Sequence, residues 1–225
     1  MFTGTRLTAV LAGLGITALI QSSSACSVMV VGFVNAGLLN LTQAIGVIFG
    51  SAIGTTVTAQ MVSFKLDSLA LPAICIGVLT LLLAKKSTTK GIATTVLGFG
   101  LLFFGMTLMS NELTGIADFP SFKAAFQYFD CTPNQQGVLP ILPVLGAILI
   151  GTIMTIAVQS SSATIGLTIA MAQSGLLNFY TAVPLILGDN IGTTITGLLA
   201  ALNANRTAKQ AAIAATIFKT LGVII

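Results

Sequence analysis

The sequence contains no histidine and no tryptophan, and only two tyrosines. Without histidine, the commonest general base, the commonest transition-metal ligand and the usual pH switch are all missing. Charge is nearly as scarce. Nine Lys and Arg and five Asp and Glu make up 6% of 225 residues, against about 25% in a soluble domain. Fourteen ionisable side chains cannot coat a water-soluble body of 23.0 kDa. With 55% apolar residues and a mean hydropathy of +1.03, disorder is excluded as well, because such a chain does not stay solvated. The composition is that of an all-α integral membrane protein embedded in a lipid bilayer. The net charge of +4 does not argue for nucleic acid, since no basic run exceeds Lys85-Lys86 and stacking residues are few. Cys26, Cys75 and Cys131 lie far apart and form neither a CxxC site nor a disulfide framework. There is no G-x-x-x-x-G-K-[ST] loop and no nucleophile–base arrangement, which argues against an ATP-driven pump and against an enzyme.

What the sequence does have is a repeat. Gln21-Ser22-Ser23-Ser24-Ala25 recurs as Gln159-Ser160-Ser161-Ser162-Ala163, an offset of 138. At the same offset Gly37-Leu38-Leu39-Asn40 matches Gly175-Leu176-Leu177-Asn178, and Ile53-Gly54-Thr55-Thr56 matches Ile191-Gly192-Thr193-Thr194. About 17 of the 39 positions from 21 to 59 are identical without a gap, and polar and glycine positions persist while apolar ones drift. The repeat also disposes of a secretory-signal reading of residues 1–26, because the same pattern recurs in mid-chain.

Each copy starts with an apolar stretch, breaks at the polar pentapeptide, and resumes for about 11 residues, too few to cross a bilayer that needs about 20. The pattern predicts two re-entrant helical hairpins with Gln-Ser-Ser-Ser tips. Each is followed by a transmembrane helix, 41–64 and 178–202, broken near its middle at Gly50–Thr56 and Gly188–Thr194. Non-helical backbone at that depth requires a polar cavity or protein cover. Three crossings separate the hairpins (41–64, 68–84 and 91–110), so the second enters from the opposite face and the repeats are inverted, as in secondary transporters. The division is 1–64 for repeat one, 65–136 for connecting helices and an external loop, and 137–225 for repeat two. Arg6, Lys85, Lys86, Lys90, Arg206 and Lys209 fall on the side of the N-terminus. Lys65, Lys123, Asp67, Glu112, Asp118 and Asp130 fall on the other, which places the N-terminus in the cytoplasm of a multi-pass cell (inner) membrane protein.

Hydroxyls, amide carbonyls and freed backbone carbonyls are hard oxygen donors that suit Na+, while half-helix N-termini present N–H groups to an anion. A single Ser-Ser-Ser would ordinarily be read as helix packing, and Gly46, Gly50 and Gly54 as a packing face. Two copies in equivalent places shift the reading to binding. Asp189 lies about eleven residues into its span, and an intramembrane acid is a functional residue by default. Lys219 sits at a similar depth. The two charges are expected to pair, or Lys219 to help hold the anion.

Paired QSSS hairpins, each followed by a G-x-N-I-G-T-T-type segment, resemble the sodium–phosphate cotransporter family (type II, including bacterial members) over nearly the whole chain. The resemblance implies Na+-driven symport of inorganic phosphate, with Na+ as coupling ion and no other cofactor or transition metal. It implies substrate binding by Gln21, Ser22, Ser23, Ser24, Gln159, Ser160, Ser161 and Ser162, to which Lys219 is added. Cation ligands would be Asn190, Thr193 and Thr194, with Ser51, Thr55 and Thr56 as counterparts, and Asp189 beside them. The chain departs from the family pattern in two places: Ala52 stands where Asn is usual, and Asp189 where a small residue is usual. Both ends read as truncated. Another small oxyanion, a carboxylate, or phosphate export on the same fold remain open, as does a homodimer.

Overall fold

The apolar stretches fold as helices and the polar pentapeptides end them. A computed structural model describes residues 5–64, 67–117 and 128–224, and the charges at Lys65, Asp118 and Lys123 lie outside the described residues. Repeat one comprises α1 (Arg6–Ile20), α2 (Ser23–Asn35) and α3 (Leu41–Ser63). Two linking helices follow, α4 (Asp67–Leu83) and α5 (Ser87–Ala117). Repeat two comprises α6 (Ile141–Val158), α7 (Ser161–Gln173), α8 (Phe179–Gly192) and α9 (Thr194–Ala201), and α10 (Arg206–Ile224) comes last. The protein is all-α and membrane-embedded. By length and composition Leu41–Met61, Ser87–Gly115, Ile141–Val158 and Phe179–Ala201 can each cross a bilayer, whereas α1 and α2 are shorter. The first arm of the second hairpin is thus long enough to span, unlike its counterpart.

The main packing is between the first arm of each hairpin and the helix that follows it: α1 lies along α3, and α6 along α8. Small residues make this possible. Every fourth residue on the inner face of α1 is Ala9, Gly13, Thr17, and on α6 it is Ala147, Gly151, Thr155, all buried. A Cβ added at Gly50 would lie 1.8 Å from the Val10 carbonyl oxygen, and one at Gly188 would lie 2.0 Å from that of Ile148. The glycines therefore form a backbone-to-backbone packing face, in keeping with the small-xxx-small reading. Gly50→Ala and Gly188→Ala are each expected to lower the thermal unfolding midpoint in detergent, at a cost of about 1–3 kcal/mol. Gly91→Ala, whose Cβ meets nothing within 4 Å, should not. Parent-like stability of Gly50→Ala would show that α1 and α3 do not touch there.

The expected break in the first long helix is a correction. The helix runs unbroken from Leu41 to Ser63 through Gly50–Thr56. No glycine there takes a positive φ, and the hydroxyls of Thr55 and Thr56 turn back onto the carbonyls of Ser51 (3.0 Å) and Ile53 (2.7 Å) of their own helix. In repeat two the interruption is one residue, Thr193, which keeps right-handed angles (φ −62°, ψ −18°) and whose N–H donates to the Asp189 carbonyl (3.0 Å). Close packing of the glycines holds both segments helical despite their poor propensity.

The two repeats interlock. α2 packs on α9 and α10, and α7 packs on α3 and α5. The core between them joins Val30, Val31 and Val34 of α2 to an alanine face of α10, Ala208, Ala211, Ala212 and Ala215. Phe218 of α10 stacks on Phe49 at 4.0 Å between ring centroids. A strap before α6 is pinned over the start of α8: the Cys131 N–H donates to Thr181 Oγ1 (3.1 Å), and Asn178 Nδ2 donates to Asp130 (2.7 Å). Donors on Thr132, then Asn178, hold the Asp130 carboxyl below the ordinary carboxylate range.

Candidate functional site

The pentapeptide is legible residue by residue. Gln21 and Gln159 end α1 and α6 by taking left-handed angles, φ 58° and 59°, the only described non-glycine residues with positive φ. Their backbone N–H groups still bond Thr17 O and Thr155 O. Their side-chain amides turn back to carbonyls of the last turn, Gln21 Nε2 to Ala18 O (2.5 Å) and Gln159 Nε2 to Ile156 O (2.6 Å). Each glutamine thus supplies a donor to a carbonyl that the helix end leaves without one. The first serine is the N-cap of the next helix: Ser22 Oγ accepts from Ala25 N (3.1 Å), and Ser160 Oγ from Ala163 N (3.3 Å). The second serine, Ser23 or Ser161, is the first residue of the 13-residue helix α2 or α7.

Those two second serines meet. One cavity of about 120 Å³ is lined by Ser23, Thr55 and Thr56 from repeat one, and by Ser161, Asp189, Asn190 and Thr193 from repeat two. A single water needs about 10–15 Å³ of such space, so the cavity has room for several waters or a small oxyanion. Ser23 is 5% exposed and Ser161 8%. Ser23 with Ser161, and Thr55 with Thr193, are equivalent by the 138-residue offset, as are Ala52 and Asn190, which both line the wall. Two helix N-termini therefore open on the same small space from two copies of one module.

Asp189, 5% exposed, is held from behind. Its Oδ1 accepts from Thr155 Oγ1 (2.5 Å) and from Thr164 Oγ1 (2.5 Å). The counterpart in repeat one is neutral: Thr17 Oγ1 donates to Ser51 Oγ (2.8 Å), and Cys26 stands where Thr164 does. Lys219 Nζ donates to Thr193 Oγ1 (2.5 Å), and Thr193 Oγ1 donates to Asn190 O (2.8 Å). Lys219 lies in a separate, much smaller cavity that it shares with Thr194 and Ser27.

Seven of the residues expected from sequence therefore line one cavity: Ser23, Thr55, Thr56, Ser161, Asp189, Asn190 and Thr193. Gln21, Ser22, Gln159 and Ser160 are occupied as helix caps. Gln21 Oε1 also accepts from Thr58 Oγ1. Ser24 and Ser162 are half-buried on the first turns of α2 and α7 and are not among the lining residues. Ser51 is buried on Thr17. Thr17, Thr155 and Thr164 were missed. For the first two a signal existed, because Ala9, Gly13 and Thr17 recur as Ala147, Gly151 and Thr155 at the same offset. Thr164 had none, its counterpart being Cys26. A second cavity, of about 230 Å³ beside α6, is lined by apolar side chains and Thr181, and offers little to an ion.

A helical membrane protein whose two repeats bring equivalent helix N-termini and oxygen donors to one half-open cavity belongs to the class of membrane transporters. The sequence matches the Na+/Pi-cotransporter family over residues 1–111 and 143–223, and the chain belongs to that family. It is 33% identical over 226 residues to "Uncharacterized protein YqeW" of Bacillus subtilis (strain 168), covering 99% of this chain and 69% of that one. It is 32% identical over 217 residues to "Putative inorganic phosphate export protein YjbB" of Escherichia coli (strain K12), covering 95% of this chain and 37% of that protein. Over 113 residues, half of this chain and 15% of the relative, it is 34% identical to "Sodium-dependent phosphate transport protein 2B" of Homo sapiens. No solved structure matches the chain.

Proposed function

We propose that this protein is a secondary transporter that couples movement of inorganic phosphate to Na+ across a cell membrane. The observation that supports the reading best is the convergence of Ser23 and Ser161, each opening a helix, on a cavity that also contains Asp189, Thr55 and Thr193. Helix N-termini and serine hydroxyls favour an oxyanion. Threonine, asparagine and carboxylate oxygens favour a hard monovalent cation. Both in one space is the minimum for cotransport, because cation charge offsets the desolvation of the anion.

On this reading the repeats are inverted about the cavity, the N-terminus is cytoplasmic, and alternating access comes from movement of the two hairpins against α4, α5 and α10. A second reading, Na+-linked phosphate export, draws on the name of the Escherichia coli relative. Self-association into a homodimer is compatible with either.

The test is radiolabelled phosphate flux in proteoliposomes, with the Na+ gradient imposed in each direction in turn. Flux should follow the gradient in at least one direction, and which direction is faster separates import from export. Ser23→Ala with Ser161→Ala should weaken phosphate binding by at least about 100-fold, each hydroxyl on a charged ligand contributing about 1.5–3 kcal/mol. Flux indifferent to Na+, or a double alanine variant with parent affinity, would remove the reading.

A further inference from the structure

The equivalence of the two repeats around the cavity fails at one place. Thr55 Oγ1 donates to Ser51 O (3.0 Å), and among the described residues no side chain donates to it. Its counterpart Thr193 Oγ1 donates to Asn190 O and accepts from Lys219 Nζ (2.5 Å). At the positions equivalent to Asp189 and Lys219, repeat one carries Ser51 and Leu81. A negative and a positive residue therefore appear together, on one side of the cavity only.

We propose that Lys219 is a tethered counter-cation of the second half-site: its ammonium occupies the Thr193 oxygen and balances Asp189, so that this half needs no free Na+ where the Thr55 half does. This rests on the transport reading of the cavity.

The placement is built rather than incidental. The alanine face of α10 seats that helix on α2, and Phe218 stacked on Phe49 fixes the turn carrying Lys219. The lysine shares its small cavity with Val31, Ile48, Ala212 and Ala215 as well as Ser27 and Thr194, and its ammonium bonds Thr193 Oγ1. Asp189 is locked by Thr155 and Thr164 on one side and lies one turn before Thr193, whose hydroxyl holds Lys219. A buried carboxylate demands a counter-charge. A covalently tethered one is always present and loses no translational freedom on binding, which a free ion does. The consequence is a coupling ratio lower by one Na+ than two equal half-sites would give. Lys219 thus sets stoichiometry without touching phosphate.

The experiment counts Na+ bound by the purified full chain without phosphate, by equilibrium binding of radioactive Na+. Lys219→Met frees the Thr193 oxygen and exposes Asp189, and should bind one Na+ more than the parent. Lys219→Arg keeps a tethered cation and should bind the parent number. Asp189→Ser with Lys219→Leu copies repeat one into repeat two and leaves no unpaired charge. It should also gain one, and it answers the question if Lys219→Met fails to fold. A parent count in the folded single variant or in the double variant overturns the proposal while leaving the transport reading intact. A parent protein that binds no Na+ at all overturns that reading instead.

Discussion

Asp189→Asn is expected to destabilise the protein more than removing Asp189 and Lys219 together. Asparagine keeps an oxygen where Thr155 Oγ1 and Thr164 Oγ1 donate, so those two contacts survive in weakened, uncharged form. What it removes is the negative charge one helical turn before Thr193, the residue whose hydroxyl holds the Lys219 ammonium. Removing one of two opposite charges held near each other away from water costs more than removing both, because the survivor is left uncompensated. The combination Asp189→Ser with Lys219→Leu leaves no orphan charge, and the leucine enters a pocket already lined by Val31, Ile48, Ala212 and Ala215. A double-mutant cycle of unfolding midpoints in detergent should give a coupling of about 1–3 kcal/mol, the double variant lying closer to the parent than Asp189→Asn. Phosphate flux in Asp189→Asn should fall below about a tenth of the parent, since the uncompensated Lys219 charge beside the cavity disfavours Na+ at the Thr55 half and a penalty of only about 1.4 kcal/mol suffices for that. Equal stability of Asp189→Asn and parent would mean that the two charges are independent.

The membrane class, the all-helical fold and the breaks at the two pentapeptides could be read from composition and from the repeat. Each follows from a rule that local sequence obeys. Fourteen ionisable residues cannot solvate this chain. A Gln-Ser-Ser-Ser run in an apolar stretch supplies its own C-cap and N-cap. The glycine–threonine segments were misread for the opposite reason. Gly50-Ser51-Ala52-Ile53-Gly54 looks like a helix break by propensity, yet in α3 those glycines are packing surface against α1. Propensity is a weak prior, and tertiary packing overrides it. Nothing in the local sequence distinguishes a glycine that ends a helix from one that lets another helix approach.

The candidate site was legible as a set of motifs but not as a division of labour. The four polar residues of the pentapeptide look alike as donors. Only the geometry of the break assigns Gln21 and Ser22 to capping and turns Ser23 into the cavity, because the left-handed residue reverses the chain and the N-cap orients the first turn. Thr155 and Thr164 are apolar-stretch threonines of the kind that usually bond their own helix. Their role appears only once α6, α7 and α8 bring them to Asp189, 34 and 25 residues away in sequence. Lys219 was singled out by its depth, but its partner Thr193 depended on the rotation of α10, which the alanine face sets.

Cross-linking the two apices is expected to stop transport completely and reversibly. Ser23 and Ser161 are 138 residues apart in sequence and share a cavity of about 120 Å³. In a background with Cys26, Cys75 and Cys131 replaced by alanine, Ser23→Cys with Ser161→Cys should be bridged by a short bis-methanethiosulfonate, which joins each thiol through a reducible disulfide and releases methanesulfinate. Either single variant should carry the reagent without an intramolecular bridge. Both serines line the cavity in which anion and cation are proposed to meet. A bridge between the N-termini of α2 and α7 crosses that space and obstructs it, so flux should vanish on bridging and return on reduction. Phosphate with Na+ should slow the bridging, because the bound ions would occupy the space the reagent must cross. Efficient labelling of both cysteines with no bridge under any ionic condition would mean the two apices do not face one another, and the shared cavity could not then serve as the place where anion and cation meet.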